Sequence, residues 1–504
     1  MTRAARPLEA VAGCITLLLL ALIATGELSV GGPAFKRADE FVIVLALVIG
    51  LRAAAAPLRL PDVSPARVAV AGALVYALVM GFIVVTRHVA LRTHALDLGY
   101  YVQVVWSIGA GFGPHVTFPP MNAWGDHLSP ILYLFVPLAI VVPGAVALLV
   151  AQTLVLAAGG LAVFGYATRR LGEGRAAAAF ALLFLVNPSL HGINLRDIHP
   201  QAFAIALIVA AALAFDAGRY AWCAIALALT LACREDAAVA VVGFGIWLAA
   251  ARGHWRLGAA VAAASVLLLA FDLKYLMPHF RGEPYPHLHR FAYLGASLHE
   301  ILLNMVIRPW RWIGIVLTGG KLVYLLVMLL PFAFLPLLAP RVLAAALPGL
   351  ALNLLSVDPV LTNFRSQYQA FVLPFLMLAA IEGYARVRAW PRASAVAALA
   401  FLASVLLTAR TANDLMVTRW RLDDGQQAAH ALMERIPDDA VVSSNERLAP
   451  HLATRRQIFI YPTGAGTSAY ILDHDLVLRA HPPSGYLEIA RASGWVLLQR
   501  LTAR

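Results

Sequence analysis

The stretch Thr93-His94-Ala95-Leu96-Asp97-Leu98-Gly99-Tyr100-Tyr101, continued at Gly125-Asp126-His127-Leu128-Ser129-Pro130, is the first long polar interruption in a chain otherwise built of apolar runs. It follows a hydrophobic span and brings acids, histidines and aromatics together. From Asp97 the pattern turns helical, with Leu98, Tyr101, Val102 and Val105 forming a stripe suited to lying along a membrane interface. Asp97 stands where that helix opens, and a carboxylate there accepts hydrogen bonds from orphan amides as an N-cap. A carboxylate held at the water boundary is also placed to act as a general base, taking a proton from an acceptor hydroxyl. The two roles are compatible.

The composition around this stretch sets the fold class. The 504 residues are 61% hydrophobic and 13% charged, against roughly 45–50% and 25% in soluble domains. Apolar runs repeatedly approach the roughly 20 residues that cross a bilayer as a helix, and no strand-like alternation accompanies them. An all-α polytopic membrane bundle is expected, not a barrel. The net charge is +12, but no basic patch interleaved with aromatics is present, so no nucleic-acid partner is expected. Much of the arginine sits in short loops between spans, where it reports topology. Cys14, Cys223 and Cys233 lie in apolar runs without metal or disulfide spacing. Residues 1–30 resemble a signal peptide, with Arg3 and Arg6 ahead of an apolar run; without a small-x-small cleavage site they read as an uncleaved first span.

Spans fit near 11–29, 40–57, 68–86, 144–167, 176–190, 200–217, 219–233, 236–251, 257–275, 321–339, 341–356, 369–386 and 392–409, about thirteen helices. Arg52, Arg59, Arg67, Arg169, Arg170, Arg219, Arg252 and Arg386 then face the cytoplasm with the N-terminus. Segments 87–129, 191–199, 234–235, 276–320, 357–368 and the tail lie outside, and nearly every unusual polar residue falls on that side. The expected divisions are an N-terminal hairpin over 1–66, a transmembrane domain over 67–410 and an extracytoplasmic domain over 411–504. In the last, helix-like 425–435 is followed by β-rich runs at 440–443 and 457–461, which argues a small α/β unit.

The outer segments supply the remaining candidates. Asp126 beside His127 is a second acid that could bind substrate or assist proton transfer, or simply a hydrogen-bonded loop pair ahead of the Ser129-Pro130 helix start. Arg196, Asp197 and His199 sit between two apolar spans, where such residues are costly and are functional or mutually paired. Arg234-Glu235-Asp236 forms a like cluster in a short turn. Arg365, Gln367 and Tyr368 add donors for an anionic ligand, since arginine offers paired N–H groups to phosphate. His287 and His289 would point the same way on an extended segment, but further ligands for a zinc site are not evident, and neither a metal nor a cofactor is expected.

Asp97-Leu98-Gly99, Gly125-Asp126-His127-Leu128-Ser129-Pro130, Asp197-Ile198-His199-Pro200, Arg234-Glu235-Asp236, Tyr293-Leu294-Gly295, Asn353-Leu354-Leu355-Ser356 and Gln367-Tyr368 together resemble a bacterial family of predicted membrane proteins described as a domain of unknown function. That family in turn resembles the GT-C class of integral-membrane glycosyltransferases. The resemblance implies a polyprenyl-phosphate sugar donor, an envelope glycan, lipid or protein acceptor outside the cytoplasm, and contact with membrane lipid. It implies inverting transfer with Asp97 as base, and Arg196, Arg234 or Arg365 opposite the departing phosphate. Two departures stand out: an extra helical hairpin precedes the matching region, and Arg234 stands where many relatives carry lysine. The rival is a transporter of an anionic or lipid-linked substrate, which would also need intramembrane acids and cations. Transporters often show repeated halves with broken helices, and no such repeat is evident. A non-catalytic assembly protein would leave these polar clusters at membrane depth without a purpose.

Overall fold

The computed structural model describes residues 5–29, 32, 34–55, 62–172 and 174–501; Arg3, Arg59 and the end of the second expected span lie outside them. Among the described residues, five helices are long and apolar enough to cross a bilayer: Arg6–Thr25, Pro65–Val89, Gly144–Leu171, Trp255–Arg281 and Ala393–Leu415. Two bent pairs bring the number to seven, Gly174–Leu185 with Pro188–Asn194 (44°) and Trp310–Val316 with Gly319–Phe332 (60°). The expected count of about thirteen is therefore not reached by length and composition. Several of the remaining expected spans are shorter apolar helices, such as Tyr220–Leu231 and Ala238–Arg252. At about 1.5 Å per residue such pieces fall short of the roughly 30 Å hydrocarbon layer. The 321–339 span breaks after Leu329, where Pro331, Pro336 and the left-handed Ala333 and Phe334 end the helical ladder. Conversely, 276–320, read as a loop, holds the helices Leu298–Ile307 and Trp310–Val316.

The core is centred on Gly144–Leu171, which packs against Pro65–Val89, Gly174–Leu185 and Phe203–Asp216. Close approach there needs glycine: a Cβ at Gly160 would lie 2.9 Å from Leu185 Cδ2. At one end, Arg252 holds Asp216 (2.7 Å) and Glu382 (3.1 Å), and Arg170 also reaches Glu382. The tail and the long polar loops lie at the other end.

The tail folds as the α/β unit its sequence suggests. Its five-stranded sheet runs Ile458–Ile460, Val442–Ser444, Tyr470–His474, Trp495–Arg500, Tyr486–Ala492. The first three strands are parallel, and the last two pair antiparallel. The helix Asp424–Met433 opens on a capping box between Asp423 and Gln426.

The tail is seated on the first polar loop. Thr117, in the hairpin His115–Thr117/Pro120–Asn122, donates to the Ile458 carbonyl (2.6 Å) and accepts from its N–H (3.0 Å). Gln103 bonds the Thr117 N–H and hydroxyl and the Arg455 carbonyl. His451 stacks on His88 at 3.9 Å and reaches the His88 carbonyl. Loop 87–129 and the tail thus share one side of the molecule.

Candidate functional site

Asp97 lies in a single π-helical turn, Ala95–Gly99, that leads into the helix Tyr100–Gly109. A π-turn widens the backbone by one residue and is frequent at functional sites. The Asp97 carboxylate does not cap the helix; Oδ1 faces His199 Nε2 at 3.3 Å, and the side chain is 44% exposed. Burial opposes its ionisation, but the His199 hydrogen bond and the charges of His199, His94 and Arg196 prevail and hold the carboxyl below the usual carboxylate range. His199 is fixed through its N–H, which donates to Gln152 Oε1 (2.9 Å).

Asp197 is not paired with its neighbour Arg196. It adopts a left-handed backbone (φ 63°), which aspartate tolerates better than most residues. Its Oδ2 accepts from the His94 N–H (2.9 Å) and faces His94 Nδ1 (3.1 Å). The loop before the second half of the bundle is thereby tied to the Asp97 turn.

Asp126 and His127 likewise form their closest polar contacts with other residues, reaching across the molecule. Asp126 Oδ1 stands 3.5 Å from His287 Nε2. His127 Nδ1 meets Glu235 Oε1 at 3.1 Å and its ring stacks on His287 at 4.8 Å. Glu235 is buried and also accepts from the Leu128 N–H (3.1 Å) and the Tyr285 hydroxyl (3.3 Å). Burial works against both carboxylates. His287 and His127 nevertheless hold Asp126 down to about 2, and His127 with Arg234 keeps Glu235 below its ordinary value. Gly125 permits the loop's approach, since a Cβ there would come within 2.9 Å of the Arg281 backbone.

The buried Tyr101 phenol lies within the electrostatic reach of both acid pairs. Burial pushes it above its ordinary value, and Asp126, Glu235 and Asp97 push in the same direction against the Arg234 cation. Arg234 is bound through two nitrogens by Asp236 within its own turn and lies over the Tyr368 ring at 5.5 Å. Arg290 stands over the same ring at 5.2 Å. Gln367 Oε1 is buried without a hydrogen-bond partner.

An apolar groove of about 340 Å³ ends at this group. Val266, Leu269, Ile301, Met305 and Leu352 wall it, while Asp236, Tyr285, His287, Arg290 and Tyr368 form its polar head, with Asp236 bound to Arg234. Arg196 and Arg365 are elsewhere: they line a separate cavity of about 730 Å³ on the same side. Sequence reasoning missed Arg290; His287 and His289, which would point the same way only on an extended segment, lie in a 3-10 helix, with His289 turned to the Pro286 carbonyl. Among the described residues, two sets of side chains could hold a cation, Asp126 with His127 and His287, and His94 with Asp97 and Asp197. In each, one ligand atom per residue lies within 4.8 Å of the others.

The helical arrangement is similar to two solved structures of ArnT from Cupriavidus metallidurans. The form bound to undecaprenyl phosphate is 14% identical with a TM-score of 0.52, covering 86% of this chain and 98% of that one. The apo form is 14% identical with a TM-score of 0.53, covering 84% and 96%. No curated protein matches the chain. Residues 87–483, from the end of the Pro65–Val89 helix into the tail, match the family described as "Predicted membrane protein (DUF2079)", and the chain belongs to that family.

Proposed function

We propose that the protein is an integral-membrane glycosyltransferase that moves a sugar from a polyprenyl-phosphate donor to an acceptor hydroxyl outside the cytoplasm. The observation that carries this reading is the groove with apolar walls and a His287–Arg290 head, set beside the Asp126 and Glu235 pairs. An amphiphile with a long apolar chain and an anionic head matches that division of chemistry. The ArnT-like fold and the bound undecaprenyl phosphate of one neighbour support the same donor class. Clustering of Arg170 and Arg252 at the opposite end supports an extracytoplasmic site.

In this reading Asp97 is the general base. It is ionised at neutral pH, open to solvent and oriented by His199. The acceptor O–H gives its proton to the Asp97 carboxylate as its oxygen bonds the anomeric carbon. The bond from that carbon to the phosphate oxygen breaks on the opposite face, with inversion, and polyprenyl phosphate leaves as the anion. Arg290 and His287 stand at the groove head to stabilise the departing charge, and the charge of Arg234 is nearby over Tyr368. Asp126 faces His287 at 3.5 Å. The acceptor is an envelope glycan, lipid or protein.

The test is to incubate membranes containing the full chain with radiolabelled polyprenyl-phosphate hexoses and pentoses and to follow label leaving the lipid. Sugar release that requires Asp97 supports transfer. Movement of intact donor across the bilayer without release would favour a transporter instead.

A further inference from the structure

We propose that the cavity between the N-terminal hairpin, the Arg196 loop and residues 410–419 binds the acceptor through clustered phosphate or carboxylate groups. This rests on the transferase reading and names its acceptor class. Among the described residues, eight cationic side chains line the cavity against two carboxylates, Asp39 and Asp414, an excess of six positive charges. Arg87 and Arg92 share Asp414 (3.4 and 3.1 Å), and Arg37 holds Asp39 (2.8 Å). Among the described residues, Arg196, Arg365, Arg410 and Arg419 have no carboxylate within ion-pair distance. Arg92 Nη1 is buried without a hydrogen-bond partner.

Like charges gathered this closely repel. Burial, and then the neighbouring Arg410, push Arg365 below its ordinary value, a cost that a bound anion would remove. The backbone is built to keep Arg365 there, because a Cβ at Gly192 would lie 2.6 Å from the Arg365 Cα. At about 730 Å³ the space suits a ligand of several groups, and a single phospholipid headgroup would leave most of the charge unmatched.

Two placements favour an acceptor over the donor phosphate. Among the described residues, the cavity and the donor groove share no lining residue. Arg196 both lines the cavity and acts on the Asp97 charge, so an anion seated there brings an attached hydroxyl toward the base. Lys36 and Arg37 come from the hairpin, outside the family-matched residues 87–483, so this wall is read from this chain's own side chains.

The probe is inorganic pyrophosphate, titrated calorimetrically against the full chain in phosphatidylcholine nanodiscs. Saturable binding is expected, weakened at least about tenfold in Arg410→Gln/Arg419→Gln, the loss of one charge-assisted hydrogen bond or more. Lys36→Gln, at a more exposed position, should weaken binding to a smaller degree without affecting folding. Undecaprenyl phosphate, measured separately, should bind both variants as it binds the parent. Absent pyrophosphate binding, or equal binding by parent and both variants, would overturn the proposal. So would competition between pyrophosphate and undecaprenyl phosphate, which would make this the donor's site, or loss of pyrophosphate binding in phosphatidylglycerol discs, which would make it a lipid-headgroup site. Pyrophosphate binding without any undecaprenyl phosphate binding would sink the donor reading alone and leave the polyanion site standing.

Discussion

Replacing Asp97 with asparagine separates catalysis from folding. The side chain is 44% exposed and its one ion-pair contact, to His199, is 3.3 Å long. Solvent screening limits such a pair to about 0–1 kcal/mol of stability, and asparagine keeps the size of the group. Loss of a general base costs about 10²–10⁴-fold in rate, or about 2.7–5.4 kcal/mol of transition-state stabilisation. Asp97→Asn should therefore melt near the parent temperature and bind donor lipid, yet release sugar at least about a hundredfold more slowly. His199→Gln adds a readout that a structural role would not move. His199 is the strongest influence lowering the Asp97 pKa, while burial raises it. Without His199 the pKa rises, and the acid limb of the kcat/KM profile should shift to higher pH. Sugar release by Asp97→Asn within about tenfold of the parent, or an acid limb unmoved in His199→Gln, would refute Asp97 as the base.

Three further outcomes follow from the packing. Glu235→Gln removes the buried carboxylate that faces His127 and accepts from the Leu128 N–H, and hydrogen bonds to a charged group are worth about 1.5–3 kcal/mol each; a clear fall in melting temperature is expected, and unchanged melting would show that Glu235 does not organise the loop. Thr117→Val strands the Ile458 N–H and carbonyl at about 1–3 kcal/mol each, so amide exchange at Ile458 should rise well above that at Leu472, and equal exchange would refute the tail docking. Burial, with His88 and His430, pushes His451 down to about 2. A released tail takes up the proton that the docked tail excludes, so docking should weaken progressively as pH falls below the ordinary histidine value of 6.5, and protease resistance of the tail independent of pH between 7 and 5 would contradict this.

The membrane class and the α/β tail were legible because they rest on local composition and period. The helix count was not, because Ala-rich runs such as Tyr220–Leu231 have the hydropathy of a span without its length. The polar residues that matter announced themselves by their cost in an apolar chain, but their partners did not. Adjacent residues looked like pairs, as with Asp126-His127 and Arg196-Asp197, whereas the bonds formed join His94 to Asp197 and His127 to Glu235, 103 and 108 residues apart. No periodicity encodes such contacts. Arg290 was passed over because it stands in a segment read as a Pro-containing loop, in which His287 and His289 were the residues weighed. Arg365 and Tyr368, three positions apart, serve different cavities, because the Arg365 backbone is pressed against Gly192 while the Tyr368 ring faces Arg234 and Arg290.

The central claim, a polyprenyl-phosphate donor held in the groove headed by Arg290 and His287, is tested most directly by equilibrium binding of undecaprenyl phosphate to the purified full chain and to Arg290→Ala. Saturable binding by the parent, at least about tenfold weaker when Arg290 loses its charge-assisted contacts, is the expected result. No binding by the parent, or equal affinity in Arg290→Ala, would contradict it.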